Sequence, residues 1–80
     1  MDDNVVQRVT EIATDVFGED EGVVSAASTP DDLESWDSFA QLSLLMALED
    51  EYSVRFSPED IDGMTSIAAI AELVSTRRGG

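Results

Sequence analysis

Neither cysteine nor histidine occurs anywhere in the 80 residues. Without cysteine there is no disulfide and no thiolate nucleophile. Without histidine there is no imidazole base, and the two absences together remove nearly all zinc and transition-metal sites. Lysine is missing as well. The only cations are Arg8, Arg55, Arg77 and Arg78, set against 18 acids for a formal charge of −14. Such a surface repels nucleic acid phosphates and anionic lipid headgroups, so nucleic acid and membrane are excluded and the implied partners are basic proteins. Self-repulsion at this charge predicts a soluble monomer with some loss of stability. No apolar run reaches the roughly 18 residues of a membrane span, and Met1-Asp2-Asp3 lacks the basic start of a signal peptide. The chain is therefore expected to be cytoplasmic.

What is present reads as one small all-α domain. A chain this short supports a single modest core, with few side chains to spare for a deep cavity. Asp2 and Asp3 are placed to cap a first helix whose Val5, Val6, Val9, Ile12, Ala13, Val16 and Phe17 recur at helical spacing, and Gly18 ends it. From Glu19 to Ser35 the pattern dissolves into a long connection, in which Thr29-Pro30-Asp31-Asp32 carries the signals of one helical turn. The second helix is predicted from about Ser38 to Tyr52 with Asp37 as its cap. Ser57-Pro58-Glu59-Asp60 starts a short third helix that Gly63 stops. Thr65 or Ser66 opens a fourth, carrying Ile67, Ile70, Ala71, Leu73 and Val74. Residues 1–76 then form the domain and 77–80 a flexible tail. Val54 and Phe56 alternate like a strand but have none to pair with, so they are expected to fill the core from a loop. The sum is a small four-helix bundle with a long loop between its first two helices.

The second helix carries more apolar surface than a core stripe needs. At about 100° per residue, Leu44, Leu45, Leu48 and Tyr52 fall on one side. Phe39 and Met46 lie off that stripe, and Ala40, Gln41, Ser43 and Ala47 are expected on the exposed face. Phe39 and Met46 are either the edge of a wider core or a contact patch, and a serine beside them favours the patch. That serine, Ser38, stands where an acidic loop becomes this helix. A helix N-terminus offers free N–H groups and a partial positive charge to a phosphate esterified there, which marks Ser38 as a modification site rather than a catalyst. On the Asp-Ser dipeptide alone, the alternative is a plain helix cap in an unmodified acidic interaction module.

Acids gather in Glu49, Asp50 and Glu51 and again in Glu59, Asp60 and Asp62. Any one of these acids is read as solvated surface; because negative charge at a helix C-terminus opposes the dipole, the first three together are read as a docking surface for arginine- and lysine-rich partners rather than as helix stabilisers. Asp60-Ile61-Asp62-Gly63 lacks the twelve-residue ligand series of a calcium loop, and no metal site is expected. No pair of carboxylates is set apart in contrasting environments, so an enzyme is not expected either.

Asp37-Ser38-Phe39, followed by Leu44-Leu45-Met46-Ala47-Leu48-Glu49-Asp50-Glu51-Tyr52, resembles the modification motif and second helix of acyl carrier proteins, and the similarity spans nearly the entire chain. The resemblance implies that a phosphopantetheinyl transferase, using coenzyme A and Mg²⁺, esterifies Ser38 with 4′-phosphopantetheine, whose thiol then carries acyl groups as thioesters. Asp37 would engage the transferase. Partner contacts would fall on Phe39, Leu42, Met46, Glu49, Asp50, Asp60 and Asp62. The implied partners beyond the transferase are an acyl-loading enzyme and a ketosynthase or acyltransferase with a basic docking surface. Phe39 replaces the family's usual leucine, and Ala40, Gln41 and Ser43 stand where carriers of fatty acid synthesis place acids. Phenylalanine here is similar to D-alanyl carriers, which makes an aminoacyl carrier the second assignment. Trp36 resembles discrete carriers of polyketide-type and antibiotic pathways, which makes bacterial secondary metabolism the first. Peptidyl carriers place glycines before the serine, and Glu34-Ser35-Trp36-Asp37 has none.

Overall fold

The computed structural model describes residues 3–79, with side chains from 4 to 77. Four helices follow one another: α1 (Asp3–Phe17), α2 (Ser38–Tyr52), α3 (Pro58–Asp62) and α4 (Ile67–Gly79). No strand occurs among the described residues, and Val54 and Phe56 do pack into the core from a loop. The expected capping role of Asp2 lies outside the described residues.

Each long helix contributes one buried stripe at helical spacing. These are Val5, Val9, Ala13 and Phe17 from α1, then Ala40, Leu44, Leu45 and Leu48 from α2, then Ile67, Ile70, Ala71 and Val74 from α4. α1 lies against both α4 and α2, which touch each other less. Ala40 was expected outside. It is buried instead because it sits one helical turn before Leu44 and its short side chain lets the first turn of α2 approach the core. Two backbone N–H groups close the end of α2 on the Glu49 carbonyl, from Val54 at 3.2 Å and from Ser53, whose φ of 54° is left-handed.

The long loop is anchored rather than loose. Val24, Leu33 and Trp36 are buried in the core, with the Trp36 ring 5.2 Å from that of Phe17. The loop also helps cap α4: the Ala26 and Ser28 carbonyls accept from the N–H groups of Ala68 (2.9 Å) and Ile67 (3.1 Å), while Ser66, immediately before α4, accepts from Ala69 (3.1 Å) through its hydroxyl. Around Thr29 the expected single turn is present: the N–H groups of Asp32 and Leu33 donate to the Thr29 carbonyl, the Thr29 hydroxyl accepts from Asp32, and the turn does not extend into a longer helix.

A second correction concerns the C-terminus. α4 does not end at Thr76 but continues through Gly79, so a tail beginning at 77 does not describe the backbone. The cause is an anchor on α3. One guanidinium nitrogen of Arg77 donates to both carboxylate oxygens of Asp60, at 2.6 and 2.7 Å, which gives the last turn of α4 a tertiary contact that a glycine-ended sequence does not advertise.

Candidate functional site

Asp37 fixes the start of α2. Its backbone is extended, its carboxylate accepts from the Ala40 N–H at 2.8 Å, and its carbonyl accepts from Gln41 at 2.9 Å. Ser38 is therefore the first helical residue, and its side chain is exposed. The N–H groups of Ser38 and Phe39 have no acceptor among the described residues, while that of Ala40 is already taken by Asp37. Two free donors and the positive end of the helix dipole thus surround an open hydroxyl, an environment suited to a phosphodiester on that oxygen. Beside it lies a shallow cleft of about 340 Å³ lined by Pro30, Trp36, Asp37, Ser38, Gln41 and Met64.

Along the outer face of α2, Phe39, Leu42 and Met46 are 79%, 58% and 69% exposed. Their spacing of three and four residues makes one continuous apolar strip that begins next to Ser38, with exposed Asp50 one turn beyond Met46. Phe39 and Met46 are therefore surface residues and not the edge of a wider core.

The acids expected to surround this strip divide. Asp50 and Asp62 are exposed. Asp60 is not available to a partner: it is 8% exposed and closes a capping box with Ser57. Its carboxylate accepts from Arg77 and from the Ser57 N–H at 2.8 Å. The hydrogen bonds from Arg77, followed by that from Ser57, hold the Asp60 carboxyl below its ordinary pKa. Glu49 is half-buried and uses one oxygen to accept from the Phe56 N–H at 3.0 Å, tying down the loop after α2. Glu51 faces Arg8 on α1 through two hydrogen bonds of 3.1 Å, and the Arg8 guanidinium draws its pKa down. Two of the three acids at the end of α2 thus have structural work, and dipole opposition there is offset by contacts invisible in local sequence. Asp60 is the residue a sequence reading misassigns most clearly. The S-P-E-D capping box was itself the signal that its carboxylate turns inward.

Gln41, expected on the exposed face and given no role there, turns partly inward because Trp36 and Met64 meet its two ends. Half-buried in the second turn of α2, it accepts from the Trp36 indole N–H at 2.5 Å and sends its own amide toward the Met64 sulfur at 3.5 Å. A separate groove of about 830 Å³ between α1 and the long loop shares no residue with the Ser38 cleft. Although it is acid-lined, no group of three carboxylates able to hold a metal ion occurs among the described residues. No helix among them is long and apolar enough to cross a membrane.

Residues 7–74 match the family described as the phosphopantetheine attachment site. Among solved structures, the chain is similar to the holo acyl carrier protein of Geobacter metallireducens, at a TM-score of 0.84 and 24% identity over 94% of this chain and 86% of that one. It is also similar to the acyl carrier protein of Thermotoga maritima, at a TM-score of 0.76 and 25% identity over 94% of this chain and 87% of that one.

Proposed function

This chain belongs to the phosphopantetheine attachment site family, with the fold of an acyl carrier protein and a covalent 4′-phosphopantetheine as its cofactor; from that premise we propose that Ser38 bears the arm and that the chain carries acyl intermediates of a bacterial polyketide-type pathway. The observation that carries the assignment to Ser38 is its exposed hydroxyl at the first position of α2, flanked by two N–H groups without acceptors. The arm supplies a terminal thiol, which no residue of this chain can provide. The chain's own residues do the rest. Asp37 sets the helix start so that the hydroxyl faces outward and engages the transferase, which works with coenzyme A and Mg²⁺.

Carrier proteins of this kind interact with modifying and biosynthetic enzymes. Here the strip Phe39–Leu42–Met46 supplies apolar contact, and Asp50 and Asp62, with the outer edge of Glu49, attract the basic surface of a loading enzyme, ketosynthase or acyltransferase. The protein acts as a monomer in the cytoplasm and catalyses nothing itself. Phe39 supports a second cargo class, an activated amino acid, and loading assays with acyl and aminoacyl donors separate the two.

The test is intact-mass measurement after incubation with coenzyme A, Mg²⁺ and a promiscuous phosphopantetheinyl transferase. The native chain is expected to gain one phosphopantetheinyl group and Ser38→Ala none. An equal gain in both, or a gain in neither, removes Ser38 as the attachment point; the second result would leave an unmodified interaction module.

A further inference from the structure

The cleft beside Ser38 contains one polar side chain whose hydrogen bonding is unequal at its two ends. The Trp36 indole N–H is a donor only, so the Gln41 atom facing it must be the carbonyl oxygen. That choice fixes the direction of the whole amide. The NH₂ is left aimed at the buried Met64 sulfur, a thioether and one of the weakest acceptors a protein contains. Gln41 therefore holds a strong donor, half-buried and locked in orientation by an anchored tryptophan, against a partner that any oxygen would outcompete. It lines the same cleft as Ser38 and stands three residues further along the helix, on the neighbouring turn.

Resting on the assignment of Ser38 above, we propose that Gln41 is a positioning residue for the prosthetic arm: its NH₂ leaves the Met64 sulfur and donates to an oxygen of the Ser38-linked group, laying the first part of the arm in the Trp36–Met64 cleft. The acceptor is a phosphodiester oxygen or the first amide carbonyl. Both are stronger acceptors than a thioether, and neither requires Gln41 to release Trp36. The cleft walls fit such a guest. Pro30 and Met64 offer apolar contact, while Gln41 supplies the single oriented donor. The strip Phe39–Leu42–Met46 stays uncovered for partners, since none of its residues lines the cleft. An arm parked this way is held against the protein between encounters and is released by exchanging one hydrogen bond.

The experiment compares isotope-labelled protein before and after modification by NMR, with complete loading established first by intact mass. On loading, the Gln41 side-chain amide protons are expected to move downfield as oxygen replaces sulfur, the Trp36 indole proton to shift with them, and the amide of Gln7 on α1 to stay where it was. Nuclear Overhauser contacts should join the arm's geminal methyls to Trp36 or Met64. In Gln41→Glu, which keeps an acceptor for the indole and loses the donor, and in Gln41→Met, which loses both, these contacts should vanish from the loaded fraction. A phosphorus resonance that differs between native and Gln41→Met proteins identifies the phosphodiester as acceptor; an unchanged one identifies the amide carbonyl. A fully loaded native protein with unmoved Gln41 resonances overturns the proposal and leaves Ser38 as the attachment point intact. Failure to load at all removes both.

Discussion

Met46 and Leu48 are two residues apart on α2 and point opposite ways, Met46 being 69% exposed and Leu48 fully buried. Truncating each to alanine separates the surface that holds the domain together from the surface left for partners. Leu48→Ala removes a side chain enclosed by the α1, α2 and α4 stripes and should cost about 2–5 kcal/mol. An 80-residue domain has a total stability of about 4–12 kcal/mol at ordinary values per residue, and a formal charge of −14 places this one toward the lower end. The loss is thus a large share of the whole. With a urea m-value near ~1 kcal/mol/M for a domain of this size, the midpoint should fall by roughly 2 M or more, and Leu48→Ala is expected to be partly unfolded in dilute buffer. Met46→Ala should move stability by less than about 0.5 kcal/mol. Urea titrations followed by helical circular dichroism and by Trp36 fluorescence, at fixed salt, measure both. The same Met46→Ala protein should nonetheless lose affinity for its loading enzyme. Equal destabilisation by the two substitutions would refute the division of α2 into a core face and a contact face.

Two further substitutions test local devices that hold the fold. Because the Asp60 carboxyl titrates below its ordinary value, its contribution is present above the unfolded-state pKa of about 4 and is lost as pH falls through the lower folded value; Asp60→Asn should therefore be less stable than the native chain at pH 7, with the gap closing as the solution is acidified below the ordinary carboxylate range. Urea midpoints across that range check the sign, and a gap that widens on acidification would contradict it. Ser53→Gly relieves a left-handed backbone worth about 1–2 kcal/mol while adding about 0.4–1 kcal/mol of unfolded-state entropy, so a small net gain of about 0.5 kcal/mol is expected from the same titration.

The helices were legible because each carries its own punctuation. Asp37, Ser57-Pro58 and Ser66 start α2, α3 and α4 within a residue of where the patterns place them, and the buried stripes of α1 and α4 follow the period. The place of Ser38 at the first position of α2 was legible for the same reason, since a helix start is local. What escaped were the polar pairings settled between distant residues. Nothing near Asp60 announces that Arg77, 17 residues away, will close on it. Nothing near Glu51 announces Arg8, 43 residues away. Ala40 is small enough to suit either face, and only the approach of α2 to the core decides it. Gln41 escaped because its role depends on Trp36 and Met64 converging from two different loops.

These long-range pairs also change what the acidity means. Counted along the chain, the acids suggest one broad docking surface, but the fold pairs Glu51 and Asp60 with two of the four arginines and ties one oxygen of Glu49 to the loop after α2. The acids that remain outward include Asp37 beside Ser38, Asp50 one turn beyond Met46 and Asp62 at the end of α3. Between Asp37 and Glu49 the helix has no charge at all. Exposed charge on this helix is thus confined to its two ends, Asp37 at the start and Asp50 near the finish, with the apolar strip between them, so that a basic surface would be drawn to either end and would meet apolar side chains in the middle.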